Sequence, residues 1–557
     1  MKVLYFYTCY VLILTNLVSS QNSQHIICLF RFNYDNYYSC NVRFANITTD
    51  SAPITITGTH LQGKSNDDVV LFETELLAQN PAQINIFHPQ ILSEFPNLEI
   101  LYLWDANLMS LNLEHCGKLK EIIIFYNPLE ELPNGTFQNC TSLRRLEFFI
   151  TNTTTYENSF AGLKNLEALA LLETPFIEIF NNSLSDLVNL REFSCSTCLT
   201  VETESLKNLQ NLMTISITRL KYGFAYFQEL LNGLTNLITL ELSSNNLTDI
   251  KFEFFSQFNK LNRLILNNIG INSLPNDAFV NLNSLTYLSL SDNEFLTLNP
   301  ESFRGLENLS ELWLQNCGME DLSLLPFHHL TNLTYLYIQE NPVNTLPSKL
   351  FENNKNLESI SCWNCKIETI EKNVFDSLPN LSYIHLYGNN LTSIGEEIFV
   401  NLPNLFSINL WDNQVKRLNS NSFGVLENLT EFNVRNNGID EIDPKLFVKF
   451  PNLRTFYGSG NDCLSRTVND IQNIDFEKEN IFSTCFYNWQ YGRTTTTTES
   501  TTTAKEETTA NNENDEDEFR PRNWITYTII AVAIILGTFG FFISLKILIR
   551  KRLLWGT

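Results

Sequence analysis

Residues 381–394 read LSYIHLYGNNLTSI, and residues 405–418 repeat the same design as LFSINLWDNQVKRL. Both segments follow the pattern L-x-x-L-x-L-x-x-N-x-L, and the second begins 24 residues after the first. The fourth and sixth residues of each copy predict core-facing positions of a short strand, whereas the third, fifth and seventh point the other way, because side chains alternate along a strand. Units of this kind are expected to stack into an array, since one copy cannot bury its apolar face alone.

The pattern recurs along most of the chain. Its copies begin at Leu98, Leu119, Leu143, Leu166, Leu190, Leu212, Leu237, Leu261, Leu285, Leu309, Leu333, Leu357, Leu381, Leu405 and Leu429, and a partial copy begins at Leu453. From Leu237 onward the spacing is always 24 residues, whereas the earlier spacings vary between 21 and 25. Chance does not plausibly give such regularity, so this period decides the fold.

Two further positions recur within the copies. Position nine is often asparagine, whose amide is expected to bond the loop that leaves the strand: Asn127, Asn245, Asn293, Asn341, Asn389, Asn413 and Asn437. Cys198, Cys317 and Cys365 occupy the same position and are interpreted as buried structural thiols. Late in each copy comes a phenylalanine: Phe255, Phe279, Phe303, Phe327, Phe351, Phe375, Phe399, Phe423 and Phe447.

The pattern resembles the typical leucine-rich repeat. The resemblance implies an α/β solenoid, a curved horseshoe with a parallel sheet on its concave face and the phenylalanines stacked as a spine on the convex side. It also implies caps with disulfides, which Cys28 with Cys40 and Cys463 with Cys485 would form at the two ends. Cys116 and Cys140 each stand three residues before a copy and are near enough to bridge, although a bond and two free thiols both remain open.

The two ends of the chain indicate export and anchoring. The sequence divides into a signal peptide (1–20), an N-terminal cap with irregular first repeats (21–97), repeats (98–453), a C-terminal cap (454–489), a Thr-rich acidic stalk (490–523), a transmembrane helix (524–545) and a tail (546–557). Basic residues follow the span at once, which predicts a type I plasma-membrane protein with an extracellular repeat region and a cytoplasmic C-terminus. The small residues Ala533, Gly537, Gly540 and Ser544 share one helix face and leave a homodimer or a signalling co-receptor open.

Export would expose the chain to N-glycosylation. The acceptor sequence Asn-x-Ser/Thr occurs at Asn46, Asn134, Asn139, Asn152, Asn181, Asn246, Asn308, Asn332, Asn380, Asn390 and Asn428. Asn308, Asn332, Asn380 and Asn428 each precede a copy by one residue, so their glycans would line one rim of the sheet.

Aromatic residues concentrate at strand positions that the core does not need. Trp363, Tyr387 and Trp411 are 24 residues apart at position seven of consecutive copies, and a contiguous row is expected on the concave face. The predicted ligand-binding residues are Tyr287, Trp313, Tyr335, Tyr337, Trp363, Tyr383, His385, Tyr387 and Trp411. An exposed aromatic patch of this kind is typical of a binding surface. The alternative is that the rings pack on one another only to stiffen the sheet.

The composition and motifs favour binding over catalysis. The net charge of −24 argues against a nucleic-acid partner, which needs a basic face. The seven histidines are scattered, and no nucleophile–base set, phosphate loop, metal-ligand set or cofactor motif is recognised. The whole plan resembles insect surface proteins, either Toll-type ectodomains without the signalling domain or adhesion proteins of the chaoptin and connectin type. It implies a receptor or co-receptor for a protein or glycan ligand, with innate immunity as one setting, or alternatively a cell-adhesion protein.

Overall fold

The computed structural model describes residues 24–33, 35–74, 82–295, 298–469, 471 and 481–492. The predicted signal peptide, transmembrane helix and tail lie outside these ranges, as does the stalk from residue 493 onward. Within the ranges, no helix combines the length and the apolar character that crossing a membrane requires. By their contacts, the described residues divide into an N-terminal unit (24–295 with Glu301–Leu309) and a C-terminal unit (298–300 with 310–492).

The N-terminal unit begins with a cap of antiparallel strands and continues as a parallel sheet. Gln24–Phe32 pairs antiparallel with Tyr38–Ile47 and parallel with Ile54–Thr57. Tyr38–Ile47 also pairs in parallel with Gln83–Ile84 and with Leu71–Thr74, the first strand of a parallel series. The series continues through Ile100–Trp104, Glu121–Asn127, Arg145–Thr151, Ala168–Leu172, Glu192–Ser196, Thr214–Thr218, Thr239–Glu241, Arg263–Ile265 and Tyr287–Ser289.

The C-terminal unit carries a second parallel series. Its strands are Glu311–Trp313, Tyr335–Tyr337, Ser359–Ser361, Tyr383–His385, Ser407–Asn409, Glu431–Asn433 and Thr455–Tyr457. Thr467–Asn469 closes the series by pairing antiparallel with Thr455–Tyr457. The helix Ser483–Tyr491 follows in the C-terminal cap.

A strand begins two residues after every leucine that starts a copy. In the copy that starts at Leu237, the fourth and sixth residues, Leu240 and Leu242, are fully buried, as the alternation of a strand requires. The eighth residue of the copies adopts a left-handed backbone, for example at Asn364 (φ 53°) and Asn436 (φ 51°). This conformation ends the strand and turns the chain back toward the core.

The return path of each copy is poor in helix, which corrects the predicted α/β class to a parallel β-solenoid. In the described residues, α-helix is limited to Gln90–Glu94, Phe224–Leu230 and Ser483–Tyr491. Turns, short 3-10 segments and small two-stranded sheets form the rest. The 3-10 segments are Asn66–Asp68, Cys116–Lys118, Phe252–Gln257, Pro300–Phe303, Ser420–Ser422 and Phe447–Lys449. A helix about 10 Å wide does not stack well at a strand spacing of about 4.8 Å, so thinner segments are favoured.

The small sheets pair the return paths of neighbouring copies. Their strand pairs are Ile86–Phe87 with Ser110–Leu111, Glu131–Leu132 with Thr154–Thr155, Glu178–Ile179 with Thr200–Val201, Thr345–Leu346 with Thr369–Ile370, and Arg417–Leu418 with Glu441–Ile442. All five pairs are parallel, which is the geometry that stacked copies impose.

The position-nine asparagines form a buried series, here called the inner asparagine ladder. Asn389 is 4% exposed, and its Nδ2 donates to the carbonyl oxygens of Cys362 and Leu386, both at 2.8 Å. Its Oδ1 accepts the backbone N–H groups of Cys365 at 2.9 Å and Ile367 at 3.0 Å. One side chain thus satisfies buried groups of two consecutive copies, which confirms the predicted role.

The predicted phenylalanine spine is present in the C-terminal unit. Phe327, Phe351, Phe375, Phe399 and Phe423 stack at centroid separations of 5.4–6.3 Å. Phe447 departs from the prediction. It is only half-buried and packs against Phe456 and Phe482 of the C-terminal cap, while Phe450 contacts Phe423 in its place. The spine ends here because Phe447 belongs to the last full copy.

Five disulfides are formed among the described residues. The pairs Cys28–Cys40, Cys116–Cys140 and Cys463–Cys485 agree with the sequence-based pairing. Cys195–Cys198 and Cys362–Cys365 correct the interpretation of Cys198 and Cys365 as thiols. The left-handed turn at position eight brings position nine back under position six, with Cα atoms 5.6 Å apart for Cys362 and Cys365. Cys317 is buried and belongs to none of these five disulfides, in agreement with its interpretation as a buried thiol.

Candidate ligand-binding face

Trp363, Tyr387 and Trp411 lie side by side on the C-terminal unit, and we call them the aromatic row. The centroids of Trp363 and Tyr387 are 5.5 Å apart with the rings 5° from parallel, and those of Tyr387 and Trp411 are 5.8 Å apart. Backbone bonds fix the spacing, since Asn364 N donates to Tyr387 O and Gly388 N to Trp411 O. The Trp411 side chain remains 41% exposed, so the row presents an open ring to solvent.

A second pair of rings stands at position five of the first two strands of the unit. Trp313 and Tyr337 are register partners and stack at 3.9 Å. The indole Nε1 of Trp313 donates to Glu311 Oε1 at 2.6 Å, which fixes the orientation of the ring. Both side chains are half-buried, so they support the face more than they protrude from it.

The strand Ser359–Ser361 lies between these two aromatic groups and carries small serine side chains, so the surface forms a depression there. The register places Ser359 between Tyr335 and Tyr383, and Ser361 between Tyr337 and His385. The serines are 8% and 4% exposed because their taller neighbours flank them, whereas Tyr335 and Tyr383 are each 38% exposed. We call this depression the serine notch.

His385 at the edge of the notch is uncharged at neutral pH. Burial lowers its pKa to about 4, because a charged imidazole among the surrounding side chains would lose hydration. The Tyr383 ring lies nearly parallel to the imidazole at 6.3 Å. The notch is therefore lined by neutral groups, which favours an apolar or hydrogen-bonding ligand group over a strongly charged one.

Tyr287 differs from the other predicted contact residues. It belongs to the N-terminal unit and is only 5% exposed, because the guanidinium carbon of Arg263 lies 3.3 Å from the centroid of its ring. This covered ring is not available to a ligand in the structure. The remaining eight predicted residues all belong to the C-terminal unit, five of them in its strands and Trp363, Tyr387 and Trp411 two residues after a strand end.

The N-terminal unit has its own position-seven rings, which are less accessible. Trp104, Phe125 and Phe149 are separated by 5.5 and 5.7 Å, and Trp104 and Phe149 are 6% and 9% exposed. The same sheet buries Glu147, which pairs with Arg145. Burial raises the pKa of Glu147 to about 7, although Arg145 opposes the shift. No sequence motif marks this carboxyl, because a single charged residue at position five gives little signal.

A second asparagine series was missed from the sequence. The residue before the copy start is asparagine in most copies, and its Nδ2 donates to a backbone carbonyl oxygen one copy earlier. The bonds in the C-terminal unit join Asn356 to Thr331, Asn380 to Lys355, Asn404 to Pro379, Asn428 to Pro403 and Asn452 to Glu427. We call this the outer asparagine ladder, since its members are exposed. The 24-residue recurrence of Asn-Leu was the signal that could have revealed it.

The outer asparagine ladder borders a groove along the edge of the sheet. This edge groove has a volume of about 750 Å³ and is lined by side chains that include Asn380, Tyr383, Phe406, Asn428 and Arg454. Phe406 is 39% exposed and its ring lies 5.7 Å from that of Tyr383.

All eleven asparagines of the acceptor sequences are exposed, so folding leaves each of them open to modification.

The geometry defines a repeat solenoid whose sheet leaves one face open for recognition. Family models agree with this class: the BspA type leucine-rich repeat region matches residues 110–230 and 344–461 in six copies. Two further leucine-rich repeat models match residues 259–319 and 236–258. The chain belongs to the leucine-rich repeat superfamily, whose solenoids serve as protein-interaction scaffolds.

Solved structures share this fold at low identity. The TLR13–ssRNA13 complex matches with 21% identity and a TM-score of 0.51, over 71% of this chain and 64% of that one. A leucine-rich repeat protein of Leptospira interrogans matches with 20% identity and a TM-score of 0.53, over 72% and 91%. The Drosophila Toll–Spatzle complex matches with 18% identity and a TM-score of 0.52, over 72% and 61%. The chain thus spans under two thirds of the TLR13 and Toll chains. No curated protein matches the sequence.

Proposed function

We propose that this protein is a cell-surface receptor or co-receptor that binds a protein ligand on the sheet face of its C-terminal unit. The observation that supports the proposal most directly is the aromatic row, in which Trp411 is 41% exposed. Exposed aromatic side chains beside a depression supply anchor contacts in protein interfaces. The serine notch would receive a side chain of the ligand.

Protein is favoured over nucleic acid as the ligand class. The solved Toll structure is a complex with the protein Spatzle, whereas the TLR13 structure contains single-stranded RNA. A chain with a net charge of −24 has no general excess of the positive charge that attracts phosphates. The neutral state of His385 gives the notch no cationic group either.

The membrane location is part of the proposal. The uncharged run 525–545, the basic residues after it and the N-terminal apolar stretch support export and anchoring. Five disulfides suit an oxidising compartment. In intact cells that express the full-length chain, an antibody to the repeat region should bind, whereas a tag after Thr557 should become accessible only after permeabilisation. The opposite pattern would reject the location.

The binding face is tested by substitutions that the fold should tolerate. Ser361→Tyr fills the serine notch, and the double variant Trp363→Ser, Trp411→Ser removes two rings of the aromatic row. Cells that carry the wild-type chain would be cross-linked to extracellular proteins, and the retained protein identified and its affinity measured. Both variants should weaken binding of that protein at least about tenfold. Ser194→Tyr, at the equivalent position five of the N-terminal unit, is the control and should bind as wild type.

Adhesion is the second candidate, because a membrane-anchored solenoid could also bind a copy of itself or another surface protein on a neighbouring cell. Clumping of suspended cells that express the chain, abolished by Ser361→Tyr, would favour adhesion. Binding of a soluble protein without clumping would favour the receptor. If neither Ser361→Tyr nor the double variant changes any interaction of a surface-expressed chain, this face is not the binding site.

A further inference from the structure

We infer that Asn380 and Asn428 carry N-linked glycans whose first sugars lie in the edge groove and pack on Phe406 and Tyr383. The inference rests on the export proposed above. It concerns two glycosylation sites and the surface on which their first sugars lie, which is separate from the aromatic row. The occupant of the groove is therefore part of the chain's own mature surface.

The positions of the acceptor asparagines carry the argument. Ser382, Phe406 and Thr430 are equivalent residues of three adjacent copies, linked by backbone bonds from Phe406 N to Ser382 O at 2.9 Å and from Thr430 N to Phe406 O at 3.0 Å. The first and third complete the acceptor sequences of Asn380 and Asn428, whereas the middle copy has phenylalanine in place of the hydroxyl residue. An exposed ring thus stands between two acceptor asparagines that line the same groove.

Glycosylation is compatible with the outer asparagine ladder. An asparagine Nδ2 has two hydrogens. In Asn428 one of them is donated to Pro403 O at 2.7 Å, and in Asn380 one is donated to Lys355 O at 3.3 Å. A glycosylated amide keeps one N–H group, which is enough for the single ladder bond that each of these asparagines donates.

The chemistry of the groove suits a sugar. The C–H face of a pyranose ring is apolar and can cover Phe406 and Tyr383, which are 39% and 38% exposed. Glu427 and Arg454 line the same groove and are exposed, so they can meet the hydroxyl and acetamido groups. A volume of about 750 Å³ accommodates several sugar residues.

The test measures occupancy and enzymatic release site by site. The full-length chain is purified from animal cells in detergent, and glycopeptide mass spectrometry records the sites that carry glycans. Peptide N-glycosidase is then added to the folded protein, and release at each asparagine is followed over time. Asn390, exposed and outside the groove, provides the internal reference.

Glycans on Asn380 and Asn428 should be released about fivefold more slowly than that on Asn390, the effect of roughly 1 kcal/mol of packing. Phe406→Ala should remove most of this difference without altering release at Asn390, and all sites should react alike after denaturation. Val425→Ala, which truncates an exposed apolar residue that does not line the groove, is the matched control and should release like wild type.

The outcomes separate this inference from the proposed function. Glycans on Asn390 but none on Asn380 and Asn428 would overturn the inference and leave export supported. If the sites are occupied but release rates are equal and unchanged by Phe406→Ala, the sugars do not pack in the edge groove. A full-length chain without any glycan would overturn the inference together with the export on which it rests.

Discussion

Replacing Asn389 by alanine should open its copy locally and leave the rest of the chain folded. The side chain makes four hydrogen bonds of 2.8–3.0 Å in a buried site, two as donor and two as acceptor. At about 1 kcal/mol each, their loss costs about 4 kcal/mol. The matched variant is Asn404→Ala in the outer asparagine ladder, which loses one exposed bond to Pro379 O and should cost about 1 kcal/mol or less.

Hydrogen exchange of the full-length chain measures this difference directly. The backbone N–H groups of Cys365 and Ile367 lose their acceptor in Asn389→Ala. Their exchange should accelerate by up to about three orders of magnitude, which corresponds to 4 kcal/mol. Asn404→Ala should leave these amides protected. Equal acceleration in the two variants, or none in Asn389→Ala, would show that the inner asparagine ladder does not hold the copies together as described.

Phe399→Ala removes a ring stacked between Phe375 and Phe423 and should cost about 3–5 kcal/mol in urea unfolding, clearly more than Phe447→Ala at the half-buried end. Glu147 has a folded-state pKa of about 7, above its ordinary value of about 4.3, so the native state should lose stability as pH rises through this interval. Glu147→Gln should abolish that loss, and thermal unfolding at pH 5 and 8 checks it. Alkylation of the denatured, unreduced chain should label Cys317, whereas labelling of Cys195, Cys198, Cys362 or Cys365 would contradict the two short disulfides.

The strands and the inner asparagine ladder could be predicted because the same buried positions recur in every copy. A leucine every 24 residues and an asparagine eight positions later place the strand and the turn after it. The return path was predicted less well. Its sequence indicates a buried phenylalanine, but it does not indicate whether that residue lies in a helix or in a turn. Phe447 shows the limit, because its neighbour in the array is a cap and not another copy.

The Cys362–Cys365 bond and the edge groove were missed for geometric reasons. A strand that continued through position nine would separate positions six and nine, but the left-handed residue Asn364 reverses the chain between them. The richness of position eight in asparagine, aspartate and glycine was the available signal. The edge groove is lined by side chains from several copies, so no single copy encodes it.

The residues at position seven of the copies show whether the fold itself requires aromatic rings there. In the N-terminal unit this position holds rings only in the first three copies, whereas five later copies hold Ser196, Thr218, Ser243, Asn267 and Ser291 and still form the same strands and turns. Small polar residues therefore satisfy the fold there, and three consecutive large rings in the C-terminal unit are not a requirement of stacking. If the rings served only to stiffen the sheet, Trp363→Ser and Trp411→Ser would speed hydrogen exchange of their strands and leave ligand affinity unchanged. A loss of affinity with unchanged exchange would show that the aromatic row contacts a ligand. Serine already occupies position seven in other copies, so these substitutions should not disturb the fold.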